Sequence, residues 1–394
     1  MSWPLGRVSD IAEVISGYAF KSEWFGAGEA KVIRIGDLKN GRIDLKGAET
    51  FDENANQVRE QFRIRRGDIL MALSGATVGK IAIADSNAEG AYLNQRVAAI
   101  RGLHPENSEY LKFVFTGTPL QKLLMNAGGA AQPNLSPKDL AGMEIPLPPL
   151  AEQKRIAAIL DKADAIRRKR QQAIQLADEF LRSVFLDMFG DPVTNPKGWA
   201  ITSLTSHGSF KNGLNFGKGE AGNSLRYLGV GDFKSLSTID DVCSLGSIVL
   251  NTLPSRDYLL ENGDLVFVRS NGNKALVGRC ITVYPDNEPL TFSGFCIRYR
   301  IENGDVESEY LNYLFRSPSM KQAMLKGGQG ANIQNINQKI LAALEVPLPP
   351  NALQKKFSKI VQVYRDSKVH LDLSIADAKS LFAVISQKAF SGEL

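Results

Sequence analysis

The chain repeats itself. Gly67-Asp68-Ile69-Leu70 returns as Gly263-Asp264-Leu265-Val266, and Ser108-Glu109-Tyr110-Leu111 returns as Ser308-Glu309-Tyr310-Leu311. Ile145-Pro146-Leu147-Pro148-Pro149 returns as Val346-Pro347-Leu348-Pro349-Pro350. The offsets are 196, 200 and 201 (263 − 67, 308 − 108, 346 − 145). So small a drift, with the order kept, is expected of two copies that differ by short loop insertions. Trp3 with Trp199, Ile35-Gly36-Asp37 with Val230-Gly231-Asp232, and Val78-Gly79-Lys80 with Val277-Gly278-Arg279 fall in the same order. The fold must therefore accommodate one sequence plan twice within 394 residues.

Each copy has two parts. The first, residues 1–145 and again 191–346, carries short β-branched or aromatic runs broken by Gly, Asn, Asp and Ser. Lys31 to Ile35, Asp68 to Leu73, Lys80 to Ala84, Asp264 to Arg269 and Phe295 to Ile301 read as strands. Ser108 to Met125 and Ser308 to Leu325 read as helices, which makes these parts α+β. The second part, residues 146–190 and 347–394, is helical behind a proline-rich entry that cannot continue a helix.

Behind the first entry, Ile156, Ile159, Ala163, Ile166, Arg170, Ala173, Ala177, Phe180 and Val184 step by three and four. Behind the second, Phe357, Ile360, Tyr364, Ser367, Leu371, Ser374, Ala378, Leu381 and Ile385 do the same. This is the spacing of a coiled-coil seam. The expected architecture is two pseudo-symmetric α+β domains joined by two long antiparallel coiled-coil helices, stopped at Gly190-Asp191-Pro192 and Gly392.

The Pro-Leu-Pro-Pro entries, followed by Glu152-Gln153-Lys154-Arg155-Ile156 and by Leu353-Gln354-Lys355-Lys356-Phe357, resemble the specificity subunit of Type I restriction-modification systems. The resemblance covers essentially the whole chain, with Asn351-Ala352-Leu353 departing from the acidic helix start Leu150-Ala151-Glu152. It implies that each first part is a target-recognition domain reading one half of a split DNA sequence. It also implies helices that space the domains and dock two methylation subunits, joined by restriction subunits in the full complex. On this resemblance the subunit is not an enzyme and binds no cofactor; S-adenosylmethionine, ATP and magnesium belong to its partners.

The loops that differ most between the copies are the candidate DNA contacts. Ser74, Gly75, Ala76 and Thr77 face Ser270, Asn271, Asn273 and Lys274; Gln132 and Asn134 face Gln329, Asn332, Gln334 and Asn335. Asn and Gln amides suit adenine and Arg or Lys suits guanine, although the same residues dominate ordinary turns. Arg34, Arg96, Lys218 and Arg269 are candidate phosphate or guanine ligands. Arg167-Arg168-Lys169-Arg170 offers a further basic run, readable equally as a solvated helix face. Phe185, Met188, Phe189, Phe382 and Phe390 exceed what a two-helix seam needs and are candidates for receiving partner subunits.

Charge alone does not single out nucleic acid: 47 basic against 42 acidic residues gives +5. Three cysteines without paired spacing argue against a disulfide framework or structural zinc. The start Met1-Ser2-Trp3-Pro4 has no basic-then-apolar leader, so a cytoplasmic, membrane-free protein is expected. Catalytic patterns are weak. Gly75 to Ile81 is one residue short of a phosphate loop and ends in Ile where Ser or Thr should stand. Asp37, Asp232, Asp68 and Asp264 follow glycines and read as turn or strand-entry residues. The rival readings are a tandem-repeat scaffold without DNA specificity, and an enzyme with an unrecognised site.

Overall fold

The computed structural model describes every residue except 1–2, 118–119, 122–123, 126–133, 218–220, 235–236 and 327–334. The chain divides into two compact units, Met1–Gln171 with Asp372–Leu394, and Gln172–Leu371.

In the first unit the central sheet has the order Ala12–Ser16, Val97–Gly102, Ile69–Ala72, Ile81–Ile83, all antiparallel. A second, mixed sheet joins Glu49–Phe51, Phe25–Ile33 and Tyr92–Leu93. Alternation along a strand sends successive side chains to opposite faces, and here both faces are covered. Ile69, Met71, Ala98 and Ile100 pack with Tyr110, Leu111 and Val114 of the helix Pro105–Val114. Leu70, Ala72 and Ala99 pack on the other side with Ile33, Leu38 and Leu93.

In the second unit the central sheet runs Gly208–Asn212, Cys296–Ile301, Asp264–Val268, Cys280–Val283, Thr238–Ile239. Ser247–Leu250, Asn223–Leu228 and Leu290–Phe292 form its companion. Leu265 and Phe267 face Tyr310, Leu314 and Phe315, while Val266 and Val268 face Phe233, Leu228 and Phe292. The helix expected over Ser308 to Leu325 is two helices, Ser308–Arg316 and Pro318–Lys326. Pro318 forces its predecessor out of helical geometry, and Ser317 sits at φ −65°, ψ 143°.

The glutamine that begins each long helix is a buried clamp. In the first unit Gln153 Nε2 donates to the Pro148 carbonyl (2.9 Å), its Oε1 accepts from Asn107 Nδ2 (2.9 Å), and Tyr110 donates to the Pro146 carbonyl (2.6 Å). In the second, Gln354 Nε2 donates to the Pro349 carbonyl (2.8 Å), Oε1 accepts from the Glu307 amide (2.9 Å), and Tyr310 donates to the Pro347 carbonyl (2.7 Å). Buried polar groups must find partners, so a glutamine here locks the proline entry to the helix of the α+β part. Trp3 Nε1 donates to the Ala389 carbonyl (2.7 Å) and Trp199 Nε1 to the Phe189 carbonyl (2.9 Å), each tying a strand-entry residue to a helix end.

The long helices are Leu150–Phe189 (40 residues) and Asn351–Ser391 (41 residues). Gly190 and Gly392, both with positive φ, follow their ends. They do not form the expected antiparallel coiled-coil pair. Ile166, Phe180 and Leu381, placed on the seam, are 49%, 61% and 56% exposed. On the first helix Ile156 of the expected seam is buried, but from there the buried positions lie one residue further on, at Ala157, Leu160, Asp164, Ile174, Leu181 and Phe185. Asp164, where a knob should be apolar, holds Arg167 and Arg168 in ion pairs. The helix ends sink into the globular cores: Ile156, Leu160 and Ala389 in one unit, Leu181, Phe185, Phe189, Phe357 and Val361 in the other. Three-and-four spacing marks any helix with one buried face; near the helix ends that face enters cores built largely of sheet and short helices, with isolated contacts to the other long helix such as Phe185 on Phe357. The fold is α+β with mixed sheets.

Candidate nucleic-acid interface

In the first unit the chain turns between Ile69–Ala72 and Ile81–Ile83 as a hairpin, so the glycine-rich stretch from Gly75 is a turn and not a phosphate cradle. Ser74 and Asn134 pair as an antiparallel bridge, and the Leu135 amide donates to the Leu73 carbonyl (2.9 Å). The Leu73 amide in turn donates to the Arg96 carbonyl (2.9 Å). The two loop groups and Arg96, separate in sequence, thus converge on one end of the central sheet. Ser74, Gly75 and Thr77 are half-buried there, whereas Ala76, Asn134 and Arg96 are exposed.

Arg34 and Arg96 line one open cavity of about 430 Å³ with Phe20, Phe25, Asn94 and Gln95. Their guanidinium groups differ in availability. Arg34 is 3.2 Å from Glu49 and lies over the Phe25 ring. Among the described residues the Arg96 guanidinium has no hydrogen-bond or ion-pair partner. Asp37 Oδ2 accepts from the Arg34 amide (2.8 Å); burial holds its carboxyl above the usual aspartate range despite that bond.

The second unit builds the corresponding sheet end from other side chains. Ser270 bridges Asn335, the Ile336 amide donates to the Arg269 carbonyl (3.0 Å), and the Arg269 amide donates to the Phe295 carbonyl (2.8 Å). Asn271 Oδ1 accepts from the Asn273 amide (2.7 Å) and Asn273 Oδ1 from the Ala275 amide (3.0 Å), so both oxygens are engaged in turns. Asn273, Lys274, Arg269 and Asn335 are exposed, and Asn271 is half-buried. Phe295, which sequence reasoning passed over as the start of a strand, is 60% exposed at this sheet end. The signal available was an aromatic directly after Ser293-Gly294, in a turn rather than in the alternating run. Gln132, Lys218, Gln329, Asn332 and Gln334 lie outside the described residues.

The expected partner-binding aromatics serve the fold. Phe185 and Phe189 are 2% and 3% exposed, and both meet Tyr310 and Phe357. Met188 is half-buried against the same core; Phe382 and Phe390 pack on the first unit's core, beside Phe113 and Tyr110. The exposed apolar side chains on the long helices are others, among them Leu176, Phe180, Val369 and Leu373. The basic run is mostly engaged: Arg167 and Arg168 pair with Asp164, and Arg170 donates to the Ser374 carbonyl.

The repeated carboxylates hold structure. Asp68 takes Arg101 in a two-point pair (2.9 and 2.7 Å), and Asp264 takes Arg300 likewise (2.9 and 2.6 Å). Asp232 Oδ2 accepts from the Gly229 amide (2.8 Å), as Asp37 does from Arg34. Burial pushes the Cys280 and Cys296 thiols far up, away from nucleophilic use. Among the described residues no group of three or more His, Cys, Asp or Glu is arranged to hold a metal ion, and no helix is long and apolar enough to cross a membrane.

Both α+β modules present paired loops at a sheet end, and residues 2–176 and 224–372 match the family described as the Type I restriction modification DNA specificity domain. The chain belongs to this family, and its role is that of a specificity subunit of a Type I restriction-modification system, not of a catalytic one. It is 27% identical to the StySPI specificity subunit of Salmonella potsdam, over all of this chain and 89% of that protein. It is 26% identical to the EcoKI specificity subunit of Escherichia coli K12, again over all of this chain and 89% of that protein. A crystal structure of the Type I S subunit from M. genitalium shares the fold, with a TM-score of 0.55 and 16% identity over 99% of this chain and 96% of that one.

Proposed function

We propose that the chain selects a two-part, asymmetric DNA target, residues 1–145 reading one half and residues 191–346 the other. It directs adenine methylation, and restriction, by partner subunits: two methylation subunits, joined by restriction subunits. Residues 146–190 and 347–394 are the helical segments on which those partners assemble in the cytoplasm. One observation carries the reading. Each unit brings its two loops together at one sheet end by the same Ser–Asn bridge, Ser74 with Asn134 and Ser270 with Asn335, yet carries different side chains beside it, Ala76, Thr77 and Arg96 in one and Asn273, Lys274 and Phe295 in the other. A common frame with different reading groups suits two unlike half-sites.

The test is reconstitution with the methylation subunit of the same system, followed by sequencing of methylated DNA. A two-part asymmetric motif is expected, and exchange of residues 1–145 for those of another family member should change one half alone. Methylation without sequence preference, or unchanged when this subunit is left out, overturns the proposal.

A further inference from the structure

One ladder step carries exchanged chemistry in the two units. The Leu73 amide bonds the Arg96 carbonyl (2.9 Å) and the Arg269 amide bonds the Phe295 carbonyl (2.8 Å), so the two pairs hold the same backbone place. In the first unit the earlier residue, Leu73, is buried and the later one is an exposed arginine. In the second, the earlier residue is the exposed arginine and the later one, Phe295, is an exposed ring.

The backbone beneath is tightly fixed in both. A Cβ on Gly17 would lie 2.0 Å from the Asn94 carbonyl oxygen, and one on Gly213 would lie 2.0 Å from that of Ser293. Such a frame fixes where each of these side chains leaves the backbone.

The availability of these two cations separates them from several other arginines of the same units. Arg63 is paired with Glu53, Arg101 with Asp68 and Arg300 with Asp264, and Arg279 donates to the carbonyls of Phe233 and Lys234. Among the described residues the guanidinium groups of Arg96 and Arg269 have no such partner. A free guanidinium offers two parallel donors to guanine O6 and N7, and an exposed ring beside one offers an apolar face to a thymine methyl.

Resting on the proposed function, we infer that Arg96 in the first unit and the Arg269–Phe295 pair in the second are specificity-determining residues. Arg96 contacts a guanine of one half-site; Arg269 and Phe295 contact a guanine and an adjoining thymine of the other.

The experiment uses the complete complex with its methylation subunit and a panel of duplexes in which each base pair of the target is replaced in turn, at two salt concentrations. R96A is expected to lower discrimination at one G·C pair of one half by about 5- to 150-fold, the other half unchanged. R96K keeps the charge but not the planar fork, and should lose the same discrimination. F295A should affect the other half only. R96Q, which keeps side-chain bulk, serves if R96A fails to assemble. A uniform loss over all sequences with a shallower salt dependence marks a phosphate contact and overturns the assignment, as does unchanged discrimination in both R96A and R96K. A complex without any two-part preference overturns the proposed function and this assignment together; a preference indifferent to all four variants overturns the assignment alone.

Discussion

Phe185 separates a residue that holds the fold from one that receives a partner. It is 2% exposed, with ring centroids at 5.1 Å from Phe189, 5.8 Å from Tyr310, 6.2 Å from Tyr313 and 5.5 Å from Phe357. Truncation to alanine removes a whole ring from a site hemmed by four others, and a Phe-to-Ala cavity of this kind costs about 3–5 kcal/mol. For a unit of roughly 200 residues, each kcal/mol lowers the melting midpoint by about 2–4 °C, so F185A should melt about 6–20 °C lower. Urea unfolding of the full-length subunit, followed by tryptophan fluorescence, measures the loss; Trp199 reports on this core through its bond to the Phe189 carbonyl. F180A is the control on the same helix: Phe180 is 61% exposed, and its loss should change stability by no more than about 0.5 kcal/mol. If F185A unfolds with the wild type yet no longer carries the methylation subunit, the argument from packing is refuted.

Gly213→Ala should cost about 1–3 kcal/mol and disturb recognition of one half-site only, because its Cβ meets the Ser293 carbonyl at 2.0 Å beneath Phe295; wild-type stability and specificity would contradict the close approach. Glu309 offers a pH test. Burial raises its carboxyl pKa above the ordinary 4.5, outweighing the Tyr284 hydroxyl and the Arg365 and Arg316 charges. The folded state then keeps a proton that the unfolded state has released, so this group's contribution declines as pH rises from about 4.5 through the raised value. Stability of wild type relative to E309Q, measured by urea unfolding at several pH values, should fall across that window; a pH-independent difference would show the carboxyl to be ordinary.

The convergence of the candidate loops on one sheet end was partly legible because its determinants are local. Gly, Asn and Ser clusters announce turns, and divergence between the copies picked out the loops whose shared anchors, Ser74 with Asn134 and Ser270 with Asn335, the backbone pairs. Asp37 and Asp232 read as turn residues and accept amide hydrogens three residues back. The helices were misread where the determinant is remote. A three-and-four step fixes that one face is buried but not what covers it, and two registers one residue apart fit almost equally well over a stretch rich in Ala, Ile and Leu. Phe185 and Phe189 were read as surplus because their partners, Tyr310 and Phe357, come more than a hundred residues later. Phe295 was absorbed into a strand because β propensity favours an aromatic wherever it stands.

The glutamine joint has a mechanical consequence. Gln153 and Gln354 grip main-chain carbonyls of the proline entry with almost no solvent about them, so within each unit helix and sheet cannot swivel without stranding a polar group. A force applied along the long helix is therefore felt at the sheet as a rigid tilt. Because the grip closes largely on backbone oxygen, it is indifferent to which side chains stand on the far edge of the sheet, and one set can be traded for another as a drill bit is changed in its chuck.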